Sequence, residues 1–319
     1  MRDFQQVEWD ETLADDCRQL VRLAVREDLE RGQDWTTVAL VPAESQASAN
    51  IVARCGGVIA GLRAAEIVIE QMDARLQLAT HVVEGTDVKR NTVVATLAGP
   101  ARSLLTAERP LLNFLGLLSG VATLTRKYVE AVAGTKARIY DTRKTTPGWR
   151  RLEKFAVRCG GGHNHRTGLF DAVLIKDNHL AFGANSDDSR QSTTARQVAS
   201  ENFTPAEAVQ RARQFLANLP AHVPAREAII EVEVDSLEQL RNVLASSPNI
   251  VLLDNMTPQQ LRACVALRDQ LAPEVELEAS GGVNLKTVRA IAETGVERIS
   301  AGALTHSAIW FDVALDWTV

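Results

Sequence analysis

The sequence predicts an α/β protein built on a parallel sheet, and three observations carry that reading. From residue 137 onward short apolar runs recur: ARIYDTRK, AVLIKDNH, AIIEVEV, IVLLDN, VELEASGG and ERISAGAL, each followed by a segment of helical character. The last four start roughly 20–25 residues apart, the size of one βα unit. The runs read as continuous apolar strands, as expected of a parallel sheet buried on both faces. Apolar residues make up 45% of the 319-residue chain and aromatics only 5%, so the core is aliphatic, which suits an α/β fold better than a β-sandwich.

The earlier part of the chain reads differently. Residues 13–31, LADDCRQLVRLAVREDLER, place apolar side chains at helical spacing. Ala47 to Ala60 and His81 to Leu97 carry alternating material, and EGTDVKRNTVVATL reads as a turn between short strands. LLTAERPLLNFLGLLSGVATLTRKYVEAVA follows as a long apolar helix, with Pro110 expected in a first turn and Ser119-Gly120 expected to bend or interrupt it. Ala184 to Asn202 is rich in Ser, Thr, Asp and Gln without apolar period, and reads as an exposed insertion.

The formal net charge is −5, so no basic bias points to nucleic acid or an anionic membrane, and any anion site must be a local cluster of Lys and Arg. The opening stretch MRDFQQVEWDETLADD has no apolar signal core and no run of 18 apolar residues occurs, so a cytoplasmic protein is expected. Four cysteines stand far apart without a CxxC pair and read as reduced thiols. Neither GxGxxG nor GxxxxGK[ST] is present.

Charged groups fall near the ends of the apolar runs: Arg143 and Lys144 after ARIYDT, Lys176 after AVLI, Glu233 within EVEV, Asp254 after IVLL. In a β/α barrel such ends converge on one mouth, where active sites are built. Three cations with two carboxylates suit an anionic substrate that carries a metal. Ser280, Gly281 and Gly282 follow VELEA, and Ala301, Gly302 and Ala303 follow RIS. Backbone N–H groups at such turns, helped by the next helix N-terminus, can approach a phosphate.

The segment DTRKTTPGWRRLEKFAVRCGGGHNHR, Asp141 to Arg166, sets seven cations against two acids. Arg150, Arg151 and Lys154 read as a solvated helix face. Arg143, Lys144 and Arg166 sit where chemistry is done, and an arginine fork grips carboxylates in a bidentate way. His163 and His165 invite a zinc reading, but no third ligand stands at metal spacing: glycines separate Cys159, and His179 ends another strand. The three glycines are expected to let the loop fold close to a ligand.

Taken with LFDAVLIKDNH, EVEVDSLEQL, VLLDNM, EASGGVN and GVERISAGALTHS, that segment resembles the quinolinate phosphoribosyltransferase family, also called nicotinate-nucleotide pyrophosphorylase (carboxylating). REDLERGQDWTTVALVP, EGTDVKRNTVVATLAG and ERPLLNFLGLLSGVATLT extend the resemblance over nearly the whole chain. The resemblance implies an N-terminal α/β sandwich domain, 1–115 joined by the tail 304–319, and an incomplete seven-stranded α/β barrel over 116–303. It implies transfer of phosphoribosyl from phosphoribosyl pyrophosphate to quinolinate with decarboxylation, using Mg2+ and no organic cofactor. It also implies a homodimer in which Arg109, in the ERxxLN motif, crosses to the neighbouring subunit's site.

By motif, Thr142, Arg143, Lys144, His165 and Arg166 would hold quinolinate, with Arg109 nearby. Lys144 and Lys176 would face both substrates. Glu233 and Asp254 would serve the ribose hydroxyls and the metal, directly or through water and phosphoribosyl pyrophosphate. Ser280, Gly281, Gly282, Ala301, Gly302 and Ala303 would take the 5-phosphate. The alternatives are a related pyrophosphorylase acting on another anionic acceptor, a Schiff-base lyase using Lys176, and a phosphometabolite-binding regulator.

Overall fold

The computed structural model describes residues 3–182 and 203–318, so the segment read as an insertion, 184–202, lies outside the described residues. The first elements are α1 (Glu11–Leu29), α2 (Trp35–Leu40), β1 (Gln46–Ala53), β2 (Gly57–Val58), α3 (Leu62–Met72), β3 (Gln77–Thr80), β4 (Asp87–Val88), β5 (Val93–Pro100) and α4 (Ala101–Ala131). There follow β6 (Arg138–Tyr140), α5 (Arg150–Cys159), β7 (Ala172–Ile175), α6 (Asp177–Phe182), α7 (Pro205–Asn218), β8 (Ile229–Val234), α8 (Leu237–Leu244) and β9 (Ile250–Asp254). The last are α9 (Pro258–Leu271), β10 (Glu276–Ser280), α10 (Val288–Ala292), β11 (Arg298–Ser300), α11 (Ala303–His306) and β12 (Val313–Thr318).

The chain divides into two compact units. One comprises Gln6–Ala131, Asp141–His165 and Gly302–Val319. Its sheet has the order β12-β1-β5-β3, antiparallel throughout. The helix read at 13–31 is α1; Asp10 caps it by accepting from the Leu13 N–H (2.8 Å). The two strands expected around the 84–97 turn part company: β4 pairs with β2, whereas β5 joins β1 and β3.

Helix α4 is continuous, contrary to expectation at two points. Pro110 sits inside the helix, not in its first turn, and Ser119-Gly120 does not interrupt it. These small residues serve close packing. Ser119 Oγ accepts from the Ala60 N–H and donates to the Ala60 carbonyl, both at 3.0 Å. A Cβ on Gly120 would lie 2.3 Å from the Ile309 carbonyl oxygen. Among the described residues no helix is long and apolar enough to cross a membrane.

The other unit comprises Met1–Gln5, Val132–Tyr140 and Arg166–Ala301. Its sheet holds six parallel strands in the order β6-β11-β10-β9-β8-β7. Each of the six apolar runs becomes one strand; the seventh strand that the resemblance implies is absent among the described residues. The βα pattern is enforced locally. Thr204 and Thr257, each followed by Pro and three residues later by Glu207 or Gln260, form capping boxes that start α7 and α9.

The strands are not uniformly apolar. Glu231, Glu276, Glu278 and Arg298 alternate with aliphatic residues and are buried. Arg298 Nε donates to Glu276, and its Nη2 lies 2.9 Å from Asp3 Oδ1. Tyr140 donates its hydroxyl to Asp3 Oδ2 (2.9 Å), and the Arg298 guanidinium lies 4.6 Å from the Tyr140 ring centre and 5.3 Å from that of Phe4. Phe4 clusters with Tyr140, Ala172, Ile229 and Ile250, so the amino-terminal arm packs where β7, β8 and β9 begin, opposite their carboxyl ends.

Candidate active site

In the parallel-sheet unit the carboxyl ends of adjacent strands carry the groups picked out by the sequence. Lys176 follows β7, and its Nζ donates to Oε2 of Glu233 on β8. Asp254 ends β9 in register with Ser280, which ends β10. Glu233 and Asp254 are both half-buried, so solvent and ligands can reach them, whereas Glu231, on the same face two residues earlier, is fully buried. That difference favours Glu233 over Glu231 as the reachable carboxylate.

The glycines after β10 have distinct reasons. Gly281 has φ +88°, and a Cβ there would fall 2.1 Å from Asn255 Oδ1. Only glycine admits this approach of the β10 turn to the residue that leaves β9. Asn255 donates its backbone N–H to the Ser280 carbonyl (2.9 Å) and its side-chain amide to Asp254 Oδ2 (2.8 Å). Gly282 has φ +63° and open space where a Cβ would stand. The next helix begins only at Val288, so its N-terminus does not immediately follow these glycines as expected.

In the antiparallel-sheet unit the organising residue is Asp141, fully buried, which accepts from Lys154 Nζ, Asn164 Nδ2 (2.6 Å) and the His165 N–H (2.9 Å). Lys154 also donates to the His165 carbonyl (2.9 Å). The following loop is held by a Lys144 N–H to Thr142 Oγ1 bond (3.0 Å) and by Thr305, whose hydroxyl donates to the Lys144 carbonyl (2.6 Å). Thr146 N–H donates to Glu153 Oε2 (3.1 Å); burial pushes the Glu153 carboxyl above its ordinary pKa, against that hydrogen bond.

Lys144 is exposed, and Arg143 is half-buried with its Nε buried and without a partner among the described residues. A buried guanidinium donor left unpaired is costly, so this Nε is open to an acceptor from outside the chain. Gly302 precedes α11, and a Cβ on it would lie 3.0 Å from Lys144 Cδ and 3.1 Å from His306 Nε2. Arg109 lies exposed on α4.

Models of the quinolinate phosphoribosyl transferase N-terminal and C-terminal domains match residues 34–119 and 121–316. The chain belongs to the quinolinate phosphoribosyltransferase family. A relative from Mycobacterium leprae, named nicotinate-nucleotide pyrophosphorylase [carboxylating], is 42% identical over 95% of this chain and 97% of its own. A Nicotiana tabacum relative named quinolinate phosphoribosyltransferase [decarboxylating] 2b, mitochondrial, is 34% identical over 94% of this chain and 82% of its own. The structure of nicotinate-nucleotide pyrophosphorylase from Francisella tularensis superposes with a TM-score of 0.84 at 34% identity, covering 99% of this chain and all of that one.

Set in a quinolinate phosphoribosyltransferase chain, one expectation changes and the glycine triplet gains a structural reason. Lys154 is not on a solvated face: it is fully buried against Asp141, whereas Arg151 keeps a partly exposed contact with Asp16 (3.6 Å). Two glycines of the triplet are required by helix packing. A Cβ on Gly160 would lie 2.4 Å from the Ala122 carbonyl oxygen, and one on Gly162 would lie 2.7 Å from Thr125 Cγ2. Asn164, between the two histidines, is a buried tie: its Oδ1 accepts from the Val7 N–H (2.7 Å) while its amide serves Asp141.

The structure also brings in two histidines that the sequence reading left without a role. His179 Nδ1 accepts from the Lys176 N–H (2.9 Å), which holds its ring beside that lysine's backbone. His306 stands over Gly302. Both stand within motifs, KDNH and GALTHS, that carry the family resemblance.

Proposed function

We propose that this chain transfers the phosphoribosyl group of phosphoribosyl pyrophosphate to the nitrogen of quinolinate and releases pyrophosphate and carbon dioxide, forming nicotinate mononucleotide for NAD synthesis. The observation that carries the reading is Arg143, a buried donor short of an acceptor in the DTRK segment of a chain that matches both family domains. A dicarboxylate acceptor completes that donor set.

The residue roles follow from chemistry. Arg143, Lys144, His165 and Arg166 grip the two carboxylates, and Thr142 positions Lys144 through its hydroxyl. Lys176, ion-paired with Glu233, faces the phosphates. Ser280 to Gly282, with Ala301 to Ala303, offer backbone N–H groups to the 5-phosphate. The pyridine nitrogen is a neutral nucleophile, so its attack needs no base; the protein contributes alignment and charge. Cations around the 2-carboxylate hold it until it leaves as neutral carbon dioxide.

Glu233 and Asp254 fit a magnesium ion: half-buried carboxylates near the carboxyl ends of neighbouring strands are the hard oxygen donors which Mg2+ takes together with substrate phosphates and water. When bound, the metal neutralises charge that builds on the departing pyrophosphate. Arg109, exposed on α4, serves the site of a second copy of the chain in a homodimer working in the cytoplasm.

The test is a turnover assay that offers quinolinate and nicotinate in parallel and follows pyrophosphate and carbon dioxide. Quinolinate is expected to be consumed with one carbon dioxide per pyrophosphate. Turnover of nicotinate alone would reject the acceptor assignment.

A further inference from the structure

We propose that the buried Asp141–Lys154 pair is a positioning device for the acceptor-binding residues, needed for quinolinate recognition without touching quinolinate. The inference rests on the functional reading above and adds two residues to it. Both peptide groups of His165 are tied to this pair: its N–H donates to Asp141 (2.9 Å), and its carbonyl accepts from Lys154 (2.9 Å). Asp141 is also the residue immediately before Thr142, Arg143 and Lys144. One ion pair therefore fixes the start of the DTRK segment and the histidine of the NHR segment together.

The rest of the network removes the remaining freedom. The Asn164 side chain spans Asp141 (2.6 Å), the Lys154 carbonyl (2.9 Å) and the Val7 N–H (2.7 Å). Glu153, adjacent to Lys154 on α5 and also fully buried, takes the Thr146 N–H at the far end of the loop. Consecutive helix positions point about 100° apart, so α5 holds the 141–146 segment at two separate points.

Energetics argue against stability as the reason for the pair. Removing an ammonium and a carboxylate from water costs several kcal/mol per ion, and a buried pair is often replaceable by apolar residues of similar shape without loss. A side chain displaced by 1 Å, in contrast, costs on the order of 100-fold in rate. Fixing Arg143, Lys144 and His165 against the acceptor is a use for which neutral residues are a poor substitute.

The test compares Asp141→Asn, and the double variant Asp141→Asn with Lys154→Met, against the unmodified full chain. Kinetics vary quinolinate and phosphoribosyl pyrophosphate separately, and each protein is melted thermally. The double variant removes both buried charges and so guards against misfolding. It is expected to melt within a few degrees of the unmodified chain, with KM for quinolinate raised about tenfold or more and KM for phosphoribosyl pyrophosphate within about twofold of its starting value. A folded double variant with both KM values unmoved, or with both raised alike, would overturn the proposal. An unmodified chain that does not turn over quinolinate rejects the functional reading itself, and this inference with it.

Discussion

Arg166 shows how a single side chain can be read from sequence and then tested. It is buried, and its Nη1 reaches the Ala172 carbonyl at 3.3 Å, at the long end for such a bond. Arg166→Ala is expected to weaken quinolinate binding by about 2–5 kcal/mol, the range for breaking a buried charge-assisted pair. Calorimetric titration measures this directly, and unchanged affinity would remove Arg166 from the acceptor site. Lys154 shows the opposite lesson. It shares a helix side with Arg150 and Arg158 at four-residue spacing, which is the signature of a solvated stripe. The partner that buries it, Asp141, stands thirteen residues earlier and outside the helix, where periodicity gives no sign of it.

A second residue, Glu297, sets a pH dependence. Burial alone would raise its pKa, but Arg268, gripping it through both Nη atoms at 2.9 Å, together with Lys136 and the Leu277 N–H, brings it below the ordinary carboxylate value. A carboxyl whose pKa is depressed by folding contributes stability above its unfolded pKa and loses it as the pH falls through the folded value. Glu297→Gln is therefore expected to lower stability at pH 7 by about 2 kcal/mol, since the buried Arg268 then keeps only the exposed Asp269 as a counter-charge. The gap to the unmodified chain should close as the pH drops below about 4. Urea midpoints at pH 7 and pH 3 decide it: an equal gap at both would refute the linkage.

Among the elements, the glycine loop separates what a pattern can say from what packing decides. GGGHNHR announces a special backbone, but the sequence alone does not say what approaches it. The neighbour is α4, through Ala122 and Thr125. Gly160 has φ −72°, so its backbone suits any residue and only the crowding forbids a side chain. Gly160→Ala is expected to cost about 1–3 kcal/mol, the usual price of overpacking, read as a lower thermal midpoint; a midpoint at or above that of the unmodified chain would mean that α4 yields. The same contrast runs through α4, where Pro110 and Ser119-Gly120 suggested a start and a break. Packing against Ala60 and Ile309 holds the helix through Ser119-Gly120. The capping boxes at TPAE and TPQQ, in contrast, depend only on neighbours in sequence.

At the scale of the whole molecule, six apolar runs gave six parallel strands because a βα unit writes its period into the chain. What the runs concealed was their alternation: EVEV and ELEAS hold buried glutamates whose cost is met partly by Arg298, a partner that only the assembled sheet supplies. The strand-end positions of Lys176, Glu233, Asp254 and Ser280 were legible because the apolar runs mark where each strand stops. Buried ties such as Asp141 and Asn164, whose partners lie far away in sequence, were not.

Arg109 poses the largest question, because an exposed arginine on α4 of a single chain has a role in the proposed chemistry only if a second copy receives it. Complementation tests this without any structure of the pair. Arg109→Ala and Asp254→Ala should each be inactive as pure proteins. If Arg109 works across the interface, a mixed dimer builds one of its two sites from the intact barrel of the first variant and the intact arginine of the second. Co-refolding equal amounts makes mixed dimers about half of the population, so roughly a quarter of the unmodified activity should return, provided the charge of the in-trans arginine is essential to alignment. If Arg109 serves its own chain, every site in every dimer lacks one residue and the mixture stays as inactive as its parts.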